Sequence, residues 1–436
     1  MKSEEFATAL VVRRVLLVCC LLWSAAANSS LFTLHSSLQR YSSLFTLHSS
    51  LAQGLHRYTT GFNVTYTPAH SSLLSPLSSN FADSIDIEFD DGRILLPVEI
   101  DGRKYRFLFD TGCTQGVLFT GSLVPFIREV GNVVSFDINN QPDTVRVVQL
   151  PEFRLGHLSI DGYLCTVVKG SAIHRGYDGI VGFDLINKGL ACKIDVEQKR
   201  LILTDRKKHF AQEQGYEVKY KLQSFVPYVW VSPFMRHMDC ALFDTGFRQL
   251  YTMNVESFRK HVYKSKQVAA QVEGRAVGRR TIGANSVEQA DTVFFLALDR
   301  LKWDDFAFRD YHTVTQAGTS HIGTELLTYG NLIINPFKKR MLFQPTATKN
   351  DELTVSNEQA QFSVIPVGGR PVVGLVREES EAYRNGLRHD DTIIRIDQRN
   401  IPDVTAMQQF PFVKGRTYTF TVRCSDGSVH DVKIKK

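Results

Sequence analysis

From residue 81 onward, apolar and polar residues alternate over short stretches separated by turns. Ile85-Asp86-Ile87-Glu88-Phe89 alternates as a half-buried strand does. Residues 94–100 and 105–109 read as two further strands joined by the turn Asp101-Gly102. Residues 133–138 and 144–150 form another strand pair around the polar stretch Asn139-Asn140-Gln141-Pro142-Asp143. Helical spacing is sparse. It is expected at 123–130 and at 254–272, where Val255, Phe258 and Val262 fall on one face. Many short strands with few helices make this a mainly β chain.

Two of the predicted strands end in the same phrase. Leu108-Phe109-Asp110-Thr111-Gly112 recurs as Leu242-Phe243-Asp244-Thr245-Gly246. Each is an apolar run that delivers a carboxylate to a tight turn, with glycine permitting close backbone approach. Each phrase is followed by an apolar segment closing on glycine, Ile180-Val181-Gly182 and His321-Ile322-Gly323. Gly182 lies 72 residues after Asp110, and Gly323 lies 79 after Asp244. Arg200 and Arg340 then follow those glycines by 18 and 17 residues. Three landmarks in one order argue for a duplicated unit. Facing turns would bring two carboxylates into one cleft, where like charges hold a single proton between them.

Composition narrows the classes. The chain has 436 residues, enough for two or three domains, and its 43% hydrophobic and 22% charged content is ordinary for a globular protein. A formal charge of +6 with no dense Lys/Arg run beside aromatics gives no support for nucleic-acid binding. At the N-terminus, Arg13-Arg14 precede an apolar run to Trp23, and Ala25-Ala26-Ala27 offers a cleavage site, so residues 1–27 read as a secretory signal. No later stretch is long and apolar enough for a membrane helix.

Residues 28–80 read as a serine-rich leader in which 29–38 recurs at 42–51. His35, His48 and His70 in it have no accompanying Asp, Glu or Cys pattern and read as solvated side chains rather than metal ligands. Five cysteines remain beyond the signal: Cys113, Cys165, Cys192, Cys240 and Cys424. Their odd number and wide spacing form neither a disulfide framework nor a zinc pattern. One bridge, such as Cys165 to Cys192, stays open beside the reading as buried thiols.

The paired Asp-Thr-Gly turns, each with its apolar-apolar-Gly partner, resemble the aspartic peptidases of the pepsin and retropepsin type, over about residues 81–345. The tails after Gly182 and Gly323 look most like the retropepsin-like branch. The resemblance implies two β-barrel lobes, 81–207 and 208–346, related by a pseudo-twofold axis with a polypeptide-binding cleft between them. It makes Asp110 and Asp244 the catalytic pair, supported by Thr111, Gly112, Thr245, Gly246, Gly182 and Gly323. A water between the acids would lose a proton to the ionised one and attack the peptide carbonyl, with no metal and no cofactor. Cys113 and Phe247 stand where pepsin-type enzymes carry Ser or Thr, so the outer hydrogen bond to each carboxylate is expected to be missing. Arg248 either reaches solvent or pairs with Asp244, and the second arrangement would favour a peptide-binding protein without catalysis. The hairpin at 133–150 is the candidate flap.

A polar stretch at 347–360 reads as a linker. Residues 361–436 then resemble a small PDZ domain of the bacterial type, chiefly through Ala382 to Asp397, with paired strands at 417–423 and 429–434 closing it. Such domains bind extended peptides by adding a strand. Gln359-Ala360-Gln361 stands where the usual glycine-rich capture loop would be. The expectation is an exported, periplasmic or extracellular aspartic endopeptidase with a partner-docking domain. The alternatives are an inactive peptide-binding protein on the same lobes and an envelope scaffold.

Overall fold

The structure, a computed structural model, describes residues 60–68, 79–136, 142–169, 176–262, 264–280 and 290–436. The secretory signal, the repeated serine-rich segments and the three leader histidines lie outside the described residues. The chain is mainly β, at 53% strand and 9% helix, with curled sheets that include a half-barrel. Among the described residues no helix is long and apolar enough to cross a membrane.

Six antiparallel strands form the spine that positions everything else. Across it they run Tyr216–Gln223, Arg340–Pro345, Gly330–Asn335, Ala191–Asp195, Arg200–Thr204 and Ala82–Asp86. The order is palindromic. Reading outward from the central pair, where Lys193 faces Ile333, each direction meets a closing hairpin and then an early strand of the same half. Buried Ile194, Leu201, Leu203, Leu332, Ile334, Met341 and Phe343 belong to one apolar core that spans both halves. The arginines counted in the sequence sit at the matching ends of these hairpins: Asp195 faces Arg200, and Asn335 faces Arg340.

Each half also repeats one small arrangement. Strand Gly179–Val181 runs parallel to Arg103–Phe109, pairing Val181 with Phe109, and antiparallel to Gly116–Phe119. Strand Ser320–Ile322 runs parallel to His237–Phe243, pairing Ile322 with Phe243, and antiparallel to Tyr251–Thr252. A parallel neighbour at the end of each Asp-bearing strand holds the following turn from below.

Four expectations are corrected. Residues 123–130 are not helical: Pro125 lacks the N–H a helix interior needs, and Arg128–Phe136 is a strand paired with Pro142–Gln149. The helix expected over 254–272 stops at Val262; Ser265 caps a separate turn, Lys266–Ala269, and Val272–Gly278 is a strand. Ordered structure starts before residue 81, because Asn63–Tyr66 pairs with Leu158–Asp161 and buries Phe62 edge-on against Tyr163. The stretch read as a linker is bound along the second half. Glu352–Thr354 adds a parallel strand to Phe306–Val314, and Asn357 bonds both the N–H (2.7 Å) and the carbonyl (2.8 Å) of His312.

Residues 362–435 build a separate six-stranded sheet over its own core, including Val373, Leu387, Ile393, Phe420 and Val432. The segment before it is committed to local bonds: Gln361 accepts from Ala382 N–H through its side chain and from Arg377 N–H through its carbonyl, both at 2.9 Å. This sheet meets strand Val272–Gly278 backbone to backbone. Arg279 N–H donates to Gly374 O (2.9 Å), Glu378 N–H donates to Arg275 O (2.9 Å), and Leu375 buries against Ala276, Val293 and Phe295. A methyl at Gly278 would lie 2.1 Å from Gly374 O. Gly278→Ala is therefore expected to pry the sheet from the second half, read as faster proteolysis within residues 346–361. Unchanged cleavage there would show that the contact does not hold the sheet in place.

Candidate active site at the paired Asp-Thr-Gly turns

Each acid sits where an apolar strand ends and the backbone is caught by its parallel neighbour. Asp110 N–H donates to Val181 O (3.0 Å) and Asp244 N–H to Ile322 O (2.8 Å). The turns close identically, Cys113 N–H to Asp110 O (3.2 Å) and Phe247 N–H to Asp244 O (3.1 Å). Gly112 N–H then donates to Asp110 Oδ1 (2.9 Å) and Gly246 N–H to Asp244 Oδ1 (2.8 Å), so each carboxylate is held by its own turn.

The turns are tied to each other by their threonines. Thr111 Oγ1 donates to Phe243 O (2.7 Å) and accepts from Thr245 N–H (3.0 Å). Thr245 Oγ1 donates to Phe109 O (2.6 Å) and accepts from Thr111 N–H (2.9 Å). Both threonines are buried, so these four crossing bonds are shielded from water. They leave each glycine beneath the opposite acid: a Cβ on Gly112 would lie 2.6 Å from Asp244 Cγ, and one on Gly246 would lie 2.4 Å from Asp110 Oδ2. Asp110 and Asp244 thus occupy one site. Gly182 and Gly323 pack behind the turns, where a Cβ would lie 2.7 Å from Gln115 N and 2.3 Å from Phe247 O.

Proximity and burial set the electrostatics. Burial first, and then the charge and hydrogen bond of Asp244, push the Asp110 carboxyl up to about 8. Burial also raises Asp244, against the pull of bonds from Asp110 and from the Gly246, Phe247 and Gly112 amides. The pair therefore shares one proton over a wide pH range.

The surroundings differ from the sequence reading. Cys113 supplies an outer bond after all, its Sγ lying 3.3 Å from Asp110 Oδ2. Burial and then the two carboxylates raise this thiol well above its ordinary value, so it stays protonated as a donor. Arg248 is exposed to solvent and does not pair with Asp244. It bonds Asp91 at 2.7 Å, on a hairpin turn of the first half whose Gly92 O also accepts from Thr324 Oγ1 (2.6 Å). The converse brace exists too: Thr114 Oγ1 donates to Ser224 O (3.0 Å) and Asn187 Nδ2 to Phe225 O (2.8 Å). Each half thus leans a hairpin turn against the other half's active loop. The sequence reading also missed His321, whose Nε2 lies 3.5 Å from Asp244 Oδ2. Its one signal was a polar residue inside the apolar-apolar-Gly segment.

All five cysteines beyond the signal are free thiols, so the open Cys165–Cys192 bridge is not formed. Among the described residues no group of three or more His, Cys, Asp or Glu side chains gathers that could hold a metal ion. The candidate flap is the hairpin of Arg128–Phe136 and Pro142–Gln149 at one edge of its sheet, with Val134 exposed; its tip lies outside the described residues. No family model matches the chain. No curated protein matches it either.

Proposed function

We propose that this chain is an exported aspartic endopeptidase of the retropepsin-like type, with two lobes in one chain and a C-terminal PDZ-like domain that docks a peptide or protein partner. The observation that carries this reading is the pair of carboxylates held in one site by crossing threonine bonds, with one of them raised far enough to stay protonated at neutral pH. A polypeptide carbonyl lying over the pair would meet an ionised Asp244 and a protonated Asp110. Asp244 takes a proton from a bound water as its oxygen attacks the carbonyl carbon, and Asp110 gives its proton to the carbonyl oxygen. The tetrahedral diol collapses as Asp244 passes its proton to the departing nitrogen and Asp110 recovers one from the diol hydroxyl. The peptide-binding alternative drew its support from an Arg248–Asp244 pair, and Arg248 is engaged by Asp91 instead.

Export rests on the basic and apolar residues 13–27. Partner docking rests on the edge strand Phe362–Val367, which pairs on one side with Arg370–Val376.

The test is hydrolysis of an unstructured polypeptide across pH. Activity requires one proton on the pair, so kcat/KM should be bell-shaped: lost in acid as Asp244 protonates, and lost in alkali as Asp110 ionises near 8. No hydrolysis anywhere from about pH 3 to about pH 8 would overturn the peptidase reading.

A further inference from the structure

The two carboxylates are gripped alike from their own turns but differently from outside. Asp110 Oδ2 receives the Cys113 thiol. Phe247, at the corresponding place after Asp244, has a backbone amide but no side-chain donor to offer, and the side chain facing Asp244 Oδ2 is the imidazole of His321. This residue holds the register that Ile180 fills in the first half: His321 pairs with Leu242 as Ile180 pairs with Leu108. An aliphatic side chain satisfies that strand position in one half, so backbone pairing does not call for an imidazole in the other.

The ring is buried, and Phe247 lies tilted against it with ring centroids 5.0 Å apart. Gln316 Nε2 contacts His321 Nδ1 at 2.7 Å and also donates to Thr319 O. The second bond fixes the amide, because the opposite orientation would press its oxygen against the Thr319 carbonyl. With the Gln316 amide donating, Nδ1 accepts and Nε2 carries the hydrogen on the side of Asp244; the Thr319 carbonyl, whose bond pulls the imidazole up, competes for a hydrogen on Nδ1. The charged groups facing the ring are Asp244, Asp110 and Arg280, and burial outweighs them all, taking the imidazole down to about 4. It is neutral over most of the working range and presents an N–H dipole rather than a charge.

We propose that His321 is a positioning residue of the acid pair: a neutral imidazole, oriented by Gln316, whose Nε2–H favours the ionised form of Asp244 and so directs the shared proton to Asp110. At 3.5 Å the contact is longer than a formed hydrogen bond. Its part in turnover rests on the peptidase reading; its effect on the titration of the pair does not.

Two measurements separate these. In full-length protein with 13C-labelled Asp and 15N-labelled His, wild type should show the hydrogen on Nε2 of His321. His321→Ile should raise the lower pKa of the pair by about 0.5 to 1, since a donor to the charged form has gone. His321→Gln, which restores a side-chain N–H, should return part of that shift, and it keeps the test usable if the Ile variant does not fold. In turnover, His321→Ile should lower kcat about tenfold with little change in KM, and the acid limb of the pH profile should move up with the titration. A hydrogen on Nδ1, or a folded His321→Ile variant whose pair titrates as in wild type, overturns the proposal. If the titration moves as expected but wild type cleaves no peptide, the peptidase reading falls and the positioning role stands.

Discussion

On the peptidase reading proposed above, Asp110→Asn is expected to abolish peptide hydrolysis, and on burial alone to melt above about pH 8 at a higher temperature than wild type. The first effect follows from the shared proton. An amide can neither give nor take one, and acid–base steps of this kind contribute up to about 10⁴-fold, so kcat should fall at least about 10³-fold. Asp244→Asn should fall by a similar factor, because two groups acting as a unit are lost together.

The second effect comes from burial. The folded state raises the Asp110 carboxyl from its ordinary 3.8 to about 8. A carboxyl raised on folding contributes stability at pH below its unfolded value, and that contribution is lost as pH rises through the folded value. Between the two, the unfolded chain ionises freely while the folded chain must hold the proton or bury a second charge. Asn removes the conflict. The two melting curves should converge near pH 3 to 4, roughly where both states of wild type are protonated. An Asn variant that melts below wild type at about pH 9 would mean that the pair is not coupled as described.

Thr111→Val should destabilise the protein by about 2–4 kcal/mol, read as a lower urea midpoint with unchanged slope. Valine matches threonine in shape, so packing is nearly preserved and the loss falls on the hydrogen bonds. The hydroxyl donates to Phe243 O and accepts from Thr245 N–H, and valine leaves both of those buried groups without a partner. Thr245→Val should cost a similar amount through Phe109 O and Thr111 N–H. The double variant should fall short of the sum, because the four bonds form one network. Thr111→Ser keeps the hydroxyl and should stay within about 1 kcal/mol of wild type. A Thr111→Val cost below about 0.5 kcal/mol would show that these bonds do not hold the halves together.

Several features were legible because they depend on local rules. The apolar runs ending at Asp110 and Asp244 read as buried strands, and both are. The matched spacing to Gly182 and Gly323 reflects a repeated need for close backbone approach, which the packing against Gln115 and Phe247 displays. The misreadings arose where partners distant in sequence override local preference. Residues 123–130 carry helical spacing, yet Pro125 and a ladder to Pro142–Gln149 draw the chain into strand. The polar residues 349–358 look unstructured alone, but a parallel partner and the backbone of His312 supply their bonds.

The primary structure alone dictated the β character, the internal duplication and the two acid-bearing turns, because alternation and glycine placement act over a few neighbours. Folding in three dimensions assigned the environment of those acids. It brought His321 toward Asp244 and Asp91 to Arg248, since which groups meet at distance along the chain depends on strand register and on the crossing of two halves. A pair of carboxylates is written in the chain; that Asp110 is pushed up is set by its burial and by Asp244, brought beside it by the fold.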